Sequence, residues 1–323
     1  MKLRDYIKIE KKPQRKLMPL EWTVLTYVLL TLLMVLFTYT KLDNPNAMVW
    51  GRVRLCFITL AAWGIYELLP CRLTRMLRVL VQGVLLVVWY PDTYELNRIL
   101  PNLDHHFALL EQELFGCQPA LLFCQNFPQP WVSELMDLGY ASYYPMIALT
   151  LIFFFLYRYR DFERCAWIIF ASFFAYYIIY DLLPVTGPTF YYKAIGMKNV
   201  VKGVFPSVGD YFNTHQDCLP SPGYTDGIFY QLVEAAKAAG ERPTAAFPSS
   251  HVGVSTICML LVAWSGNRKL LIVLAPLYIL LCMATVYIQA HYAIDAIAGL
   301  VSGTIFFFIG RAITLRYRIF ATQ

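Results

Sequence analysis

Charge is scarce in this chain. Only 15% of its 323 residues are Asp, Glu, Lys or Arg, well under the quarter usual in soluble domains, which excludes an ordinary water-soluble globular protein. Metal-ligand spacing is missing too. The eight cysteines (Cys56, Cys71, Cys117, Cys124, Cys165, Cys218, Cys258 and Cys282) form no Cys-x-x-Cys pair and no Cys/His cluster, so no zinc site, metal or cofactor is expected. The N-terminus lacks a short apolar core followed by a small-residue cleavage site, and the first apolar run is therefore expected to serve as an uncleaved anchor. No repeat of fixed period and no low-complexity tract stands out. A net charge of +6 would suggest nucleic acid in a soluble protein. Here the basic residues cluster at the ends of apolar segments, which reads as membrane orientation and leaves nucleic acid out as a partner.

What the chain has is apolar length. With 58% hydrophobic residues and a mean hydropathy of +0.50, it reads as an all-α polytopic membrane protein. Runs near 20–40, 52–70, 75–91, 139–157, 165–184, 248–265, 269–288 and 292–311 predict eight transmembrane helices. An even count puts both termini on one side. Most of the Lys and Arg residues then fall on that side, in the tail to Lys16 and around Arg72, Arg75, Arg78, Arg158, Arg160, Arg164, Arg268, Lys269, Arg311, Arg316 and Arg318. The positive-inside rule makes it cytoplasmic. The run 52–70 is the weakest, because Arg52 and Arg54 must snorkel to the outer interface. The expected organisation is a basic tail (1–18), two additional N-terminal helices (19–72), a six-helix core (73–312) and a C-terminal tail (313–323).

Two polar segments, 92–138 and 185–247, fall on the outer face. The first carries His105, His106, Trp131 and an amphipathic stretch around Phe107–Phe115 suited to lying along the interface. An oxidising exterior would permit a Cys117–Cys124 disulfide, and reduced or lipid-shielded thiols fit equally well. Tyr176, Tyr177, Tyr180 and Trp131 read as an aromatic belt.

Two histidines carry the chemistry. His251 lies in Ala246-Phe247-Pro248-Ser249-Ser250-His251 and His291 in His291-Tyr292-Ala293-Ile294-Asp295. The forty residues between them are apolar except for Gly266-Asn267-Arg268-Lys269 and cover ~60 Å as helix, or two crossings of a ~30 Å core. Both therefore surface on one face. Asp295 follows His291 by four residues, so the carboxylate is expected within hydrogen-bond reach, fixing the imidazole tautomer and leaving the other nitrogen free to attack phosphorus. His251 opens a helix behind Pro248, Ser249 and Ser250, where backbone N–H groups and seryl hydroxyls predict an anion site, and where the imidazole can act as acid and base. Singly, each signal is as well explained by helix capping. Their joint placement at one membrane edge favours function, because intramembrane ionisable residues are costly.

Phe247-Pro248-Ser249-Ser250-His251 and His291-x-x-x-Asp295-x-x-x-Gly299 resemble the second and third signatures of the type 2 phosphatidic acid phosphatase superfamily, over about 140–312. The resemblance implies a phosphohistidine on His291, orientation by Asp295 and acid/base work by His251. It also implies that the six helices from 75 onward are the family core. Ordinary phosphatases of the family carry a Ser-Arg pair ahead of the third-motif histidine, with the Arg six residues before it; Ala284 and Thr285 stand there instead. Their first motif, a Lys with Arg-Pro seven and eight residues on, gives way to Asp181-Leu182-Leu183-Pro184-Val185-Thr186-Gly187-Pro188. That turn, with Thr285-Val286-Tyr287 ahead of His291-Tyr292, is similar to inositol phosphorylceramide synthases. A transferase handles a singly charged phosphodiester and needs fewer fixed cations than a phosphatase that holds a dianion. Lys193, Lys198, Lys202 or Arg242 would supply remaining charge, or simply face solvent and headgroups. Asp181 accepts hydroxyls of a polyol headgroup or acceptor lipid, or is an interfacial cap. Tyr292 lines the site, or only packs beside it.

The function this implies is transfer of a phospholipid headgroup, with phosphatidylinositol as donor, ceramide or another lipid alcohol as acceptor, and diacylglycerol released. The catalytic face would be periplasmic in a bacterium or lumenal in the Golgi. Two alternatives are a lipid phosphatase acting on phosphatidic acid or a prenyl pyrophosphate, and a non-enzymatic scaffold or transporter.

Overall fold

The computed structural model describes residues 4–316. Residues 1–3 of the expected basic tail, and the expected C-terminal tail from 317 on, lie outside them. The helices run in the order α1 (Arg4–Ile7), α2 (Pro19–Phe37), α3 (Pro45–Leu68), α4 (Arg72–Asn97), α5 (Asp104–Phe115), α6 (Pro119–Asn126), α7 (Pro130–Ala141), α8 (Tyr143–Tyr157), α9 (Tyr159–Leu182), α10 (Pro188–Ile195), α11 (Met197–Val201), α12 (Ile228–Gly240), α13 (Ser250–Ser265), α14 (Arg268–Tyr287) and α15 (Ala293–Arg316), with no strand among the described residues. Proline opens several of them, since Pro19, Pro45, Pro119, Pro130 and Pro188 stand at first-turn positions where a missing N–H breaks no intrahelical bond.

This is a polytopic all-α membrane protein. Six helices, α2, α3, α4, α9, α14 and α15, are long and apolar enough to cross a bilayer, and α7 with α8 forms a seventh candidate bent by 44°. Eight crossings were expected; the remaining apolar helix, α13, has only 16 residues, roughly 24 Å at 1.5 Å per residue. It is short against a ~30 Å core. The expected third span also extends further, to Asn97, and the fourth starts earlier, at Pro130.

Two expectations fail because polar side chains find partners inside the bundle. Arg52 does not snorkel: it is 2% exposed and turns inward to Asp92 (2.7 and 3.3 Å), Thr31 (3.1 Å) and the Met48 carbonyl (3.0 Å). A guanidinium paired with a carboxylate avoids the cost of a bare charge in hydrocarbon. Likewise Tyr176, Tyr177 and Tyr180 are buried in the main core rather than set in a belt, whereas Trp131 is exposed. All eight cysteines are free thiols, Cys117 and Cys124 included.

The two helices that carry the histidine motifs pack backbone to backbone. A Cβ on Gly303 would stand 2.3 Å from the Gly253 carbonyl oxygen, and one on Gly299 would stand 2.4 Å from that of Ser249. Gly253 on α13 with Gly299-x-x-x-Gly303 on α15 is the small-residue seam by which membrane helices approach closely. That seam sets the start of α13 against the start of α15.

Candidate active site

At this junction the two imidazoles meet. His291 Nε2 lies 3.4 Å from His251 Nδ1, so the structure brings together the two residues that stand forty positions apart. His291 Nδ1 lies 2.8 Å from the Ala246 carbonyl oxygen. A carbonyl only accepts, so Nδ1 carries the proton and Nε2 presents its lone pair toward His251. Burial lowers the His291 pKa to about 4, with the Ala246 contact and the Glu241 carboxylate acting in the opposite sense. The ring is therefore neutral and nucleophilic at ordinary pH.

Asp295 works differently from expectation. Its carboxylate stands 3.7 Å from His291 Nδ1, in ion-pair range, while its hydrogen bond comes from the backbone N–H of Tyr292 at 2.9 Å. The reason is helical position. Asp295 is the third residue of α15, and a carboxylate there reaches back to the residue before the helix, as in a capping box. The other oxygen, Oδ1, has no partner.

The anion site expected at the start of α13 is already occupied by protein groups. Ser249 N–H donates to the Asp295 carbonyl (3.0 Å), Ser250 N–H to the Tyr180 hydroxyl (3.0 Å), and Val252 N–H to Ser249 Oγ (3.4 Å). Ser249 is thus a buried N-cap, and Ser250 is half-buried beside it. The Tyr180 hydroxyl donates in turn to the Pro248 carbonyl at 2.8 Å.

The remaining candidates lie elsewhere. Asp181 is buried with neither carboxylate oxygen hydrogen-bonded, and its charged neighbours are Asp92 and Arg52, with Tyr27 beside them. It faces α2 and α4 rather than the histidines. Tyr292 is fully buried and its hydroxyl donates to Asp104 Oδ1 at 3.1 Å. Lys193 and Lys198 are exposed, and Lys193 reaches the Cys218 carbonyl at 3.3 Å. Lys202 is exposed, and Arg242 donates to the neighbouring Glu241 carbonyl at 3.1 Å.

Several groups escaped the sequence reading. Tyr140 stacks on His251 with ring centroids 4.7 Å apart and Tyr143 lies at 4.4 Å, a pair of π faces suited to a protonated imidazole. Glu241 is the carboxylate facing His291. On α5, Asp104, Ala108 and Glu111 form the buried stripe while Leu109, Leu110, Leu114 and Phe115 are exposed. The helix inverts the soluble pattern. Asp104 accepts from Thr186 and Gly187 N–H (2.7 and 2.8 Å), the Thr186 hydroxyl and Asn102, pinning the turn that follows α9. Glu111 accepts from the Ala293 and Ile294 N–H groups and so caps α15 from outside. Burial beside Asp295 raises its pKa to about 8. The spacing of 104, 108 and 111 on one helical face is legible in the sequence; that this face is buried is not, because the same pattern suits a helix lying along the interface. Among the described residues, no three His, Cys, Asp or Glu side chains converge to hold a metal ion.

Backbone strain surrounds the histidines. Ala245 (φ 68°) and Gln289 (φ 63°) sit in the left-handed region, at a cost of roughly 1–2 kcal/mol per residue. Gly187 (φ 88°) takes the same region where a Cβ would meet the Ala290 carbonyl at 2.6 Å. Three positive-φ positions, 187, 245 and 289, lie in the segments around His291.

No curated protein and no solved structure matches the chain. A family model described as the PAP2 superfamily matches residues 105–309, beginning at α5 and leaving α2, α3 and α4 outside it. The match spans well over half of the sequence and contains both histidine motifs, so this chain belongs to the PAP2 superfamily.

Proposed function

We propose that this chain is a lipid headgroup phosphotransferase, with His291 as nucleophile, His251 as acid and base, and Asp295 as the carboxylate that stabilises positive charge on His291. Membership in the superfamily supports an enzyme of the lipid phosphatase or phosphotransferase type. The observation that carries the finer reading is the His291–His251 contact, with Nδ1 of His291 committed to Ala246 and Nε2 bare. The 3.4 Å between the rings leaves no room for a phosphoryl group, so substrate separates them on entry.

Entry of the phosphate anion beside His251 lets that ring take up a proton from water; Nε2 of His291 then forms a bond to phosphorus as the bond to the diacylglycerol oxygen breaks, and His251 gives that oxygen the proton. His251, now neutral, takes the proton of an incoming lipid hydroxyl as that oxygen attacks phosphorus and the P–N bond breaks. Tyr140 and Tyr143 stabilise the charged form of His251 in between. His291 acts on His251, and the carboxylate acting on His291 is Glu241. Such a site suits a singly charged phosphodiester with a hydroxyl-rich headgroup, whose hydroxyls donate to Glu241. We therefore take phosphatidylinositol as donor and ceramide as acceptor, which is inositol phosphorylceramide synthesis. In this reading the tail (1–18) and the helices over 19–72 are additions to a catalytic core over 73–312. Both termini are cytoplasmic and the histidines face the periplasm or a Golgi lumen.

The test offers purified protein labelled phosphatidylinositol with and without ceramide. Ceramide-dependent formation of a labelled inositol phospholipid, with diacylglycerol, is expected. Release of inorganic phosphate from phosphatidic acid without any headgroup transfer would favour the phosphatase instead, and full function in His291→Ala would leave a scaffold or transporter.

A further inference from the structure

A second polar site lies at the far end of the bundle. From Tyr180, which touches the histidine helix, to Glu163 is seventeen residues along α9, roughly 26 Å. At the Glu163 end, a cavity of about 500 Å³ is lined by Arg15, Lys16, Trp22, Arg75, Arg78 and Glu163, among others. Its inner wall is fixed. Arg78 is 1% exposed and chelates Glu21, and Arg75 is 4% exposed between Glu163 and Glu10. The Arg75 Nε nitrogen is buried without a hydrogen-bond partner, an uncommon state for a guanidinium in a finished structure.

Its outer wall is solvent-facing and only loosely paired. Arg15 and Lys16 are exposed, and Arg15 is only 3.8 Å from Glu67 with its own side chain 66% exposed. They end a run of five basic residues, Lys8, Lys11, Lys12, Arg15 and Lys16. Trp22, in the first turn of α2, is 59% exposed at the rim, where an indole suits the headgroup level of a bilayer. The backbone here is anchored by Trp63 Nε1 donating to the Arg15 carbonyl at 3.0 Å and Arg78 donating to the Lys16 carbonyl at 3.1 Å. The tail therefore holds its two cations over a preformed hole.

We propose that this cavity binds the phosphate of an anionic phospholipid in the leaflet opposite the histidines. Arg15 and Lys16 take the phosphate oxygens, Arg75 supplies its unused N–H, and Trp22 packs on the glycerol and upper acyl chains. Basic pockets between membrane helices take such headgroups. The site is separate from the chemistry at His291 and stands whether or not the donor and acceptor lipids have been named correctly.

The full-length protein in detergent would be exchanged into mixed micelles of phosphatidylcholine with and without phosphatidylglycerol, and the retained lipid quantified after gel filtration. Retention of phosphatidylglycerol over phosphatidylcholine is expected. The Arg15→Gln, Lys16→Gln double variant should lose it by roughly tenfold or more, since each basic residue near an anionic surface contributes about a factor of five. Lys11→Gln with Lys12→Gln, in the same tail but outside the cavity, should lose far less. Equal losses from the two double variants, or none from either, overturn the proposal. So does displacement of bound phosphatidylglycerol by glycerol phosphate at matched concentration, which would make the ligand a soluble phosphate ester.

Discussion

His291 is set up by an atom that no side chain supplies. The Ala246 carbonyl accepts a hydrogen bond from Nδ1–H, and that single contact decides which nitrogen keeps a free lone pair. Because burial holds the ring down to about pKa 4, the neutral form persists as pH falls past the ordinary histidine range. For His291 the acid limb of kcat/KM, measured on the free enzyme, should therefore fall near pH 4; a limb near 6.5 would mean that the ring is solvated in the working enzyme. Asp295 separates two roles in one residue. Asparagine at 295 keeps an oxygen for the Tyr292 N–H but removes the charge near His291. Asp295→Asn should keep its thermal unfolding midpoint and lose kcat by on the order of a hundredfold or more, as acid–base and charge-stabilising groups do. An equal loss of midpoint and activity would reduce Asp295 to a cap. The histidines could be found in the sequence because two apolar crossings separate them and Asp295 follows His291 by one helical turn, which places all three at one membrane edge. Ala246 could not, since every residue type carries a carbonyl, and the pairing depends on a left-handed Ala245 that no propensity would suggest.

The elements explain why α13 and α15 are placed to a fraction of an ångström. Their seam is glycine against glycine, so any side chain at Gly303 meets the Gly253 backbone, which cannot rotate away. Gly303→Leu should destabilise by about 1–3 kcal/mol or more, as overpacking does, and should lower kcat further than stability alone explains, because the helices it parts each carry one histidine. Unchanged turnover with a lowered midpoint would detach the seam from the chemistry. α5 shows what the sequence pattern hides. Leu109, Leu110 and Leu114 point outward while Asp104 and Glu111 point inward, so a helix placed along the interface by its apolar residues also turns a polar stripe into the protein, which hydrophobicity alone does not show. Glu111 gives this a pH signature: with its pKa raised to about 8 from an ordinary 4.5, its contribution is complete below 4.5, declines above that and is lost as pH rises through 8. Glu111→Gln, which keeps a carbonyl oxygen for the Ala293 N–H and cannot ionise, should flatten the fall in thermal midpoint expected of the wild type between pH 4.5 and 8. Parallel curves for the two proteins would contradict this.

At the scale of the whole molecule, everything depends on the chain crossing and returning between Ser250 and Ala293. The apolar lengths of α13 and α14 and the turn at Gly266 made that hairpin readable, although α13 is shorter than a full span. The shortfall has a physical reading: a helix that starts at a buried N-cap, Ser249, begins below the rim and leaves His251 covered by Tyr140 and Tyr143. The two ends of the bundle should then be chemically distinct. Single cysteines placed by Glu113→Cys and Lys198→Cys, at exposed positions on the histidine end of the bundle, should react with a membrane-impermeant maleimide from one side of sealed vesicles. Lys12→Cys and Lys269→Cys, both exposed, should react only from the other, in a background whose native thiols have been replaced. Labelling of Glu113→Cys and Lys269→Cys from the same side would mean that α14 does not cross. His291 would then emerge at the face of the basic cavity, and neither the outward-facing chemistry nor a lipid site in the opposite leaflet would survive.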